Sequence, residues 1–185
     1  MTRSRLVLTR TRKTAAWAVV SLLVLVGCQH GRINLARSGT TAVPQDERFV
    51  FGRIVQMENG KPVKWRANQQ LTGCTVSVRN LKEINGRLYD LRGDGLFAWH
   101  LAPGEYAIRE IHWGPMYSAA VNAFFTVPAS NKVVYVGTLG SEANASTMRV
   151  YFKTSDDYDK DVEQLKAEFP EVQEEPVKSL IHFGP

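Results

Sequence analysis

"GDGLFAWHLAPGEYAIREI", residues 93–111, decides the fold. Phe97, Trp99 and Leu101 alternate with Ala98 and His100, so an extended chain places the three large apolar side chains on one face. Pro103-Gly104 suits the central positions of a type II turn, where a fixed φ is followed by a positive one. Beyond the turn Tyr106 and Ile108 resume the alternation and continue the inward face. Two half-buried strands around a tight turn predict β structure, with residues 96–101 and 105–113 as hairpin partners.

The pattern extends in both directions. Residues 48–56, 74–80, 86–91, 120–127 and 132–139 are short, rich in β-branched and aromatic residues, and separated by turn chemistry. Asn59-Gly60 and Asn85-Gly86 can each supply the positive φ values of tight turns, and "RGDGLF" sets two glycines around Asp94. About seven strands over residues 48–140 predict a mainly β protein, an antiparallel β-sandwich. In "CTVSVRN" Cys74, Val76 and Val78 share the apolar face, so Cys74 reads as a core residue.

Residues 141–185 differ. "TMRVYF" (147–152) predicts one more strand, and "TSDDYDKDVEQLKAEFP" (154–170) a C-terminal helix. Thr154 or Ser155 would cap it, with Asp156, Asp157 and Asp159 near the positive end of its dipole. Tyr158, Val162, Leu165 and Phe169 recur as one stripe, and Pro170 ends the run. This segment carries ten acids and five bases, whereas 28–140 carries eight and thirteen. Opposite charges favour docking of the helix on the sandwich; a solvated acidic face satisfies the composition equally well.

The segment 93–111 resembles the prealbumin-like β-sandwiches of carboxypeptidase regulatory-like domains, whose pattern is a glycine turn, an aromatic, then Leu-x-Pro-Gly-x-Tyr. "FVFGRIVQMENGKPV" is similar to the first strand and hairpin of those domains, and "VVYVGTLG" to a late strand in small bacterial lipoproteins. The resemblance covers roughly residues 48–140. It implies a prealbumin-like fold and no catalytic set, since such domains bind ligands or brace other domains.

The N-terminus speaks to location. Arg3, Arg5, Arg10, Arg12 and Lys13 precede "AAWAVVSLLVLV", residues 15–26. Twelve helical residues cover roughly 18 Å, short of the roughly 30 Å hydrocarbon core, so a signal peptide over 1–27 fits better than a membrane span. Leu25-Val26-Gly27-Cys28 resembles the lipobox of bacterial lipoproteins. That resemblance implies lipidation of the Cys28 thiol, cleavage before it, and an anchor of several acyl chains, each CH₂ adding about 0.8 kcal/mol. Gln29, rather than Asp, implies the outer membrane, with the domain in the periplasm. Residues 28–47 then form the lipidated cysteine and a flexible tether. Loss of residues 1–27 removes five basic residues and no acids, leaving eighteen of each sign from a chain of 23 and 18. The support a basic chain gives to nucleic-acid binding goes with it.

Sites of chemistry are sparse. His30, His100, His112 and His182 lack helical zinc spacing, and no CxxC accompanies them. Glu110, His112 and His100 would converge on a metal only if their strands paired, and a bulge near Arg109 would change the face of the first two. Of Asp90, Asp94 and Glu105, candidates for a hydrolytic carboxylate pair, Asp94 between glycines and Glu105 after Pro-Gly are turn residues by position, which argues against catalysis. Trp65, Trp113, Met116 and Tyr117 fall in or beside loops and form a candidate interaction surface, the alternative being caps on the core. The expectation is a non-enzymatic outer-membrane lipoprotein, cofactor-free, acting as an interaction or structural module for an envelope protein partner. The alternatives are a module binding peptidoglycan or lipopolysaccharide sugars through Trp65 and Trp113, and a metal-dependent envelope enzyme.

Overall fold

The computed structural model describes residues 45–63, 74–91, 93–113, 117–144, 147 and 149–184. The signal peptide, Cys28 and most of the tether lie outside the described residues, as do Trp65 and Met116. Of Trp113 and Tyr117 only the backbone is described.

The chain builds two sheets and one helix. The strands are β1 (Arg48–Glu58), β2 (Lys61–Val63), β3 (Cys74–Asn80), β4 (Arg87–Asp90), β5 (Leu96–Leu101), β6 (Gly104–Trp113), β7 (Tyr117–Val127), β8 (Val133–Asn144) and β9 (Arg149–Ser155). Helix α1 (Tyr158–Glu168) follows, then β10 (Val177–Lys178) and β11 (His182–Phe183). In the first sheet β1 and β8 lie side by side; β5 and β2 share the far edge of β1, and β9 and β10 share that of β8. The second sheet runs β11-β7-β6-β3-β4, antiparallel throughout.

The sandwich and its C-terminal helix match the sequence reading; the pairing departs from it in two places. β1 and β8 are parallel, as are β10 and β8, so the first sheet is mixed. A parallel pair needs a crossover rather than a hairpin, and here the chain passes through the second sheet between β1 and β8. The second departure is at Leu101–Gly104. β5 pairs with β1 and β6 with β3 and β7, so the Pro-Gly segment is a corner between sheets and not a hairpin. The Tyr106 hydroxyl donates to the Ala102 carbonyl at 2.9 Å and ties the corner, the role of tyrosine at sandwich corners.

The turns divide in the same way. Asn59 (φ 51) and Gly60 (φ 74) form the two-residue turn between β1 and β2. Asn85-Gly86 does not do so: neither has a positive φ, and β3 and β4 are joined by a longer connection, residues 81–86.

Two cores result. Between the sheets Trp99 stacks on Phe97 with ring centroids 3.8 Å apart and meets Tyr89 at 4.7 Å, surrounded by Val76, Ile108 and Phe125. The second core lies on the outer face of the first sheet, where Val162, Leu165 and Phe169 of the helical segment cover Phe49, Phe51, Ala98, Val133 and Tyr135. An eleven-residue helix is marginal alone; each such buried side chain contributes about 1.5–3 kcal/mol. This answers the docking question in favour of packing. It also explains why β1 is buried along both faces from Phe49 to Val55, with sheet on one side and helix on the other.

Candidate functional site

The most developed polar constellation sits where α1 meets the outer face of the first sheet. A bulge builds it. Phe51 pairs with Tyr135 and Arg53 with Thr138, so β8 carries an extra residue opposite Gly52. Gly137 takes φ +85 there, a conformation that side chains disfavour. In a regular strand residues three apart face opposite ways. The extra residue instead sets Tyr135 and Thr138 on the same outer face as Arg53, while Val136 and Leu139 remain in the main core.

Those three side chains converge on Asp161, which is wholly buried. Arg53 Nε donates to Asp161 Oδ1 in a close ion pair. The Tyr135 hydroxyl donates to Oδ2 at 3.1 Å and Thr138 Oγ1 to the same oxygen at 3.4 Å. The remaining guanidinium nitrogens reach Gln164 Oε1 and, at 3.2 Å, the Asp94 carbonyl. Gln164 Nε2 in turn donates to Asp94 Oδ2 at 2.9 Å. Tyr135 also accepts from the Asp157 N–H at 3.0 Å, which places the start of the helix. Burial, and next the Asp161 charge, push the Tyr135 phenol well above its ordinary range, so it stays a donor. Asp157, with no side-chain cap bond, is the N-cap residue, whereas Thr154 and Ser155 belong to β9.

Beside this cluster the outer face opens into a groove of about 390 Å³. Val55, Met57 and Pro62 supply an apolar floor; Lys153 of β9 and Lys160 of α1 stand at its walls with Asp157. Asp157 accepts from Ser155 Oγ at 2.7 Å. Lys153 and Lys160 have no ion pair among the described residues.

Comparison of the chain with family models, curated proteins and solved structures finds no match. The reading of the site therefore rests on its own chemistry.

The three residues whose convergence on a metal would have required paired strands do not meet. His100 is in the first sheet, and Glu110 and His112 are in the second. The anticipated bulge is present, with register shifts on both sides of Arg109, and it leaves Ile108 and Ile111 both in the core. Glu110 and His112 share a face, with Nε2 3.6 Å from Oε2, and Ser118 Oγ donates to the same carboxylate. Among the described residues no three His, Cys, Asp or Glu side chains are grouped to hold a metal. His100 packs on Phe49 at 5.8 Å, and its Nε2 has no hydrogen-bond partner among the described residues. Burial lowers its pKa from the usual 6.5, partly offset by Glu47. Cys74 packs on the main core and its thiol donates to the His112 carbonyl at 3.1 Å; burial pushes it up to about 12. Of the aromatic surface, Trp113 and Tyr117 pair across the end of β6 and β7, and Trp65 and Met116 fall outside the described residues.

Sequence reasoning missed Arg53 and Asp161. The signal was available: Asp161 lies three residues after Tyr158 and one before Val162, inside the apolar stripe. A carboxylate on that stripe requires a buried cation facing it.

Proposed function

We propose that this chain is a non-enzymatic lipoprotein, anchored through Cys28 to the periplasmic face of the outer membrane, that acts as an interaction or structural module for an envelope protein. The observation that carries the reading is the use made of Arg53 and Asp161. The most buried charges of the described domain fasten a helix to a sheet, and so contribute to a fixed scaffold of the kind that presents a surface to a partner. The prealbumin-like resemblance of residues 48–140 points the same way, and the lipobox supplies the membrane.

Two experiments test it. Cells expressing the full chain should incorporate labelled palmitate, and Cys28→Ala should abolish the label; unchanged labelling would refute the anchor. Cross-linking in intact cells should recover one reproducible protein partner, and repeated recovery of none would sink the module reading. Retention on purified peptidoglycan sacculi, lost when Trp65 and Trp113 are replaced, would instead favour the sugar-binding alternative.

A further inference from the structure

β9 differs from the other border strands. β2, β4, β10 and β11 have three, four, two and two residues. β5 is buried over most of its length, and β7 is bulged at Asn122, φ 54. β9 runs seven residues, paired with β8 on one side and, among the described residues, with no strand on the other. Its outer edge is thus a row of backbone donors and acceptors ready to pair with another chain.

The side chains state which chain would fit. Phe152 packs toward the main core, so alternation turns Arg149, Tyr151, Lys153 and Ser155 to the outer face, beside the groove. Tyr151 is 52% exposed. Arg149, Lys153 and, across the groove, Lys160 have no ion pair among the described residues. β9 itself carries Arg149 and Lys153 and no acid. The carboxylates nearby keep their charge and are held by local hydrogen bonds, Glu142 to the Gly60 N–H at 3.1 Å, Asp157 to Ser155, and Asp94 to the Leu96 N–H at 3.2 Å and to Gln164. The charge on the β9 edge itself is therefore positive. Two copies of β9 laid edge to edge would oppose like charges, which destabilises a strand pair.

We infer that the open edge of β9 and its adjoining groove take up an extended acidic polypeptide segment by strand addition. Main-chain hydrogen bonds would supply affinity, acidic side chains on Arg149, Lys153 and Lys160 would supply selectivity, and the apolar floor would hold one aliphatic residue. This deepens the module reading and rests on it.

The test uses the purified full chain and three labelled decapeptides: alternating Glu and Val, alternating Lys and Val, and the Glu-Val peptide N-methylated at alternate amides. The acidic peptide should bind in low salt, with slowed amide exchange across residues 149–155, and the Lys peptide should not. N-methylation, and separately Arg149→Glu with Lys153→Glu, should each weaken binding at least about ten-fold. Binding blind to peptide charge or to N-methylation, no binding at all, or self-association through β9 would each overturn the inference. The N-methyl comparison needs no altered protein and decides the matter even if the double variant misfolds. A photo-cross-linker at Tyr151 separates this inference from the broader reading. Adducts at Ile84, 91% exposed between β3 and β4, but none at Tyr151 would refute the β9 surface alone, and none at either would count against the module.

Discussion

Replacing Arg53 by Met tests the clamp between helix and sheet. The Arg53 side chain is 9% exposed and that of Asp161 0%. Removal of the guanidinium leaves a dry carboxylate with two hydroxyl donors, Tyr135 and Thr138. Breaking one side of a buried pair costs about 3–5 kcal/mol, chiefly because the surviving charge stays uncompensated. For a domain of this size each kcal/mol moves the melting temperature by about 4 °C, so Arg53→Met should lower it by about 12–20 °C. Asp161→Leu should cost somewhat less, because the stranded guanidinium keeps Gln164 and the Asp94 carbonyl as acceptors. The double variant should recover to within about 2 kcal/mol of the parent, since an apolar pair of similar volume carries no desolvation penalty. Urea unfolding of the four proteins gives the coupling energy, expected at about 3 kcal/mol or more. Hydrogen exchange should show α1 amides losing protection in the single variants before the strands do. Single-variant losses below about 1 kcal/mol, or losses that simply add in the double variant, would refute the clamp.

Three further outcomes follow from local geometry. Cys74, pushed from 9.0 to about 12 by burial, should react with iodoacetamide at pH 8 roughly a thousand-fold more slowly than the unfolded chain; equal rates would contradict its burial. His100 is held below 6.5 by desolvation, so below that pH the unfolded chain binds more protons. Stability should therefore fall as pH drops through 6.5 and level off below the folded value, and His100→Gln should flatten that slope in urea titrations; an unchanged slope would exclude His100 as its source. Gly95 has φ +79, and a Cβ there would lie 2.3 Å from the Ile54 carbonyl oxygen, whereas one at Gly93 would meet nothing within 4 Å. Gly95→Ala should cost about 2 kcal/mol or more and Gly93→Ala under about 0.5 kcal/mol; equal effects in thermal melts would contradict the placement of this turn.

What the sequence discloses and what it withholds divide along physical lines. Alternation states which side chains share a face, and it held for Phe97, Trp99 and Leu101 and for the helical stripe ending at Phe169. It does not state which strand lies alongside. "LAPGEY" has the local chemistry of a tight turn whether the next strand returns beside the first or crosses to the other sheet. Here Tyr106 closes a corner by bonding Ala102, and the crossing is settled by β5 pairing with β1. The Arg53–Asp161 cluster was harder still, because it depends on one extra residue at Gly137, in a strand distant from both in sequence. Strict alternation would place Thr138 with the core and lose one donor to Asp161.

The same contrast separates two strands of the first sheet. "FVFGRIV" is apolar almost throughout because it is covered on both faces, by the second sheet and by α1. "RVYFKTS" alternates strongly and stays exposed on one face and one edge. A chain under pressure only to fold would cover that edge, shorten it or bulge it, as it does at β4, β7 and β11. β9 is instead long, unbroken and lined with cations that have no ion pair among the described residues. Cations guard an edge against copies of itself, and by the same electrostatics they select an acidic strand from outside. Arg53 and Thr138 of the clamp also line that groove, so fold and binding surface depend on the same bulge at Gly137.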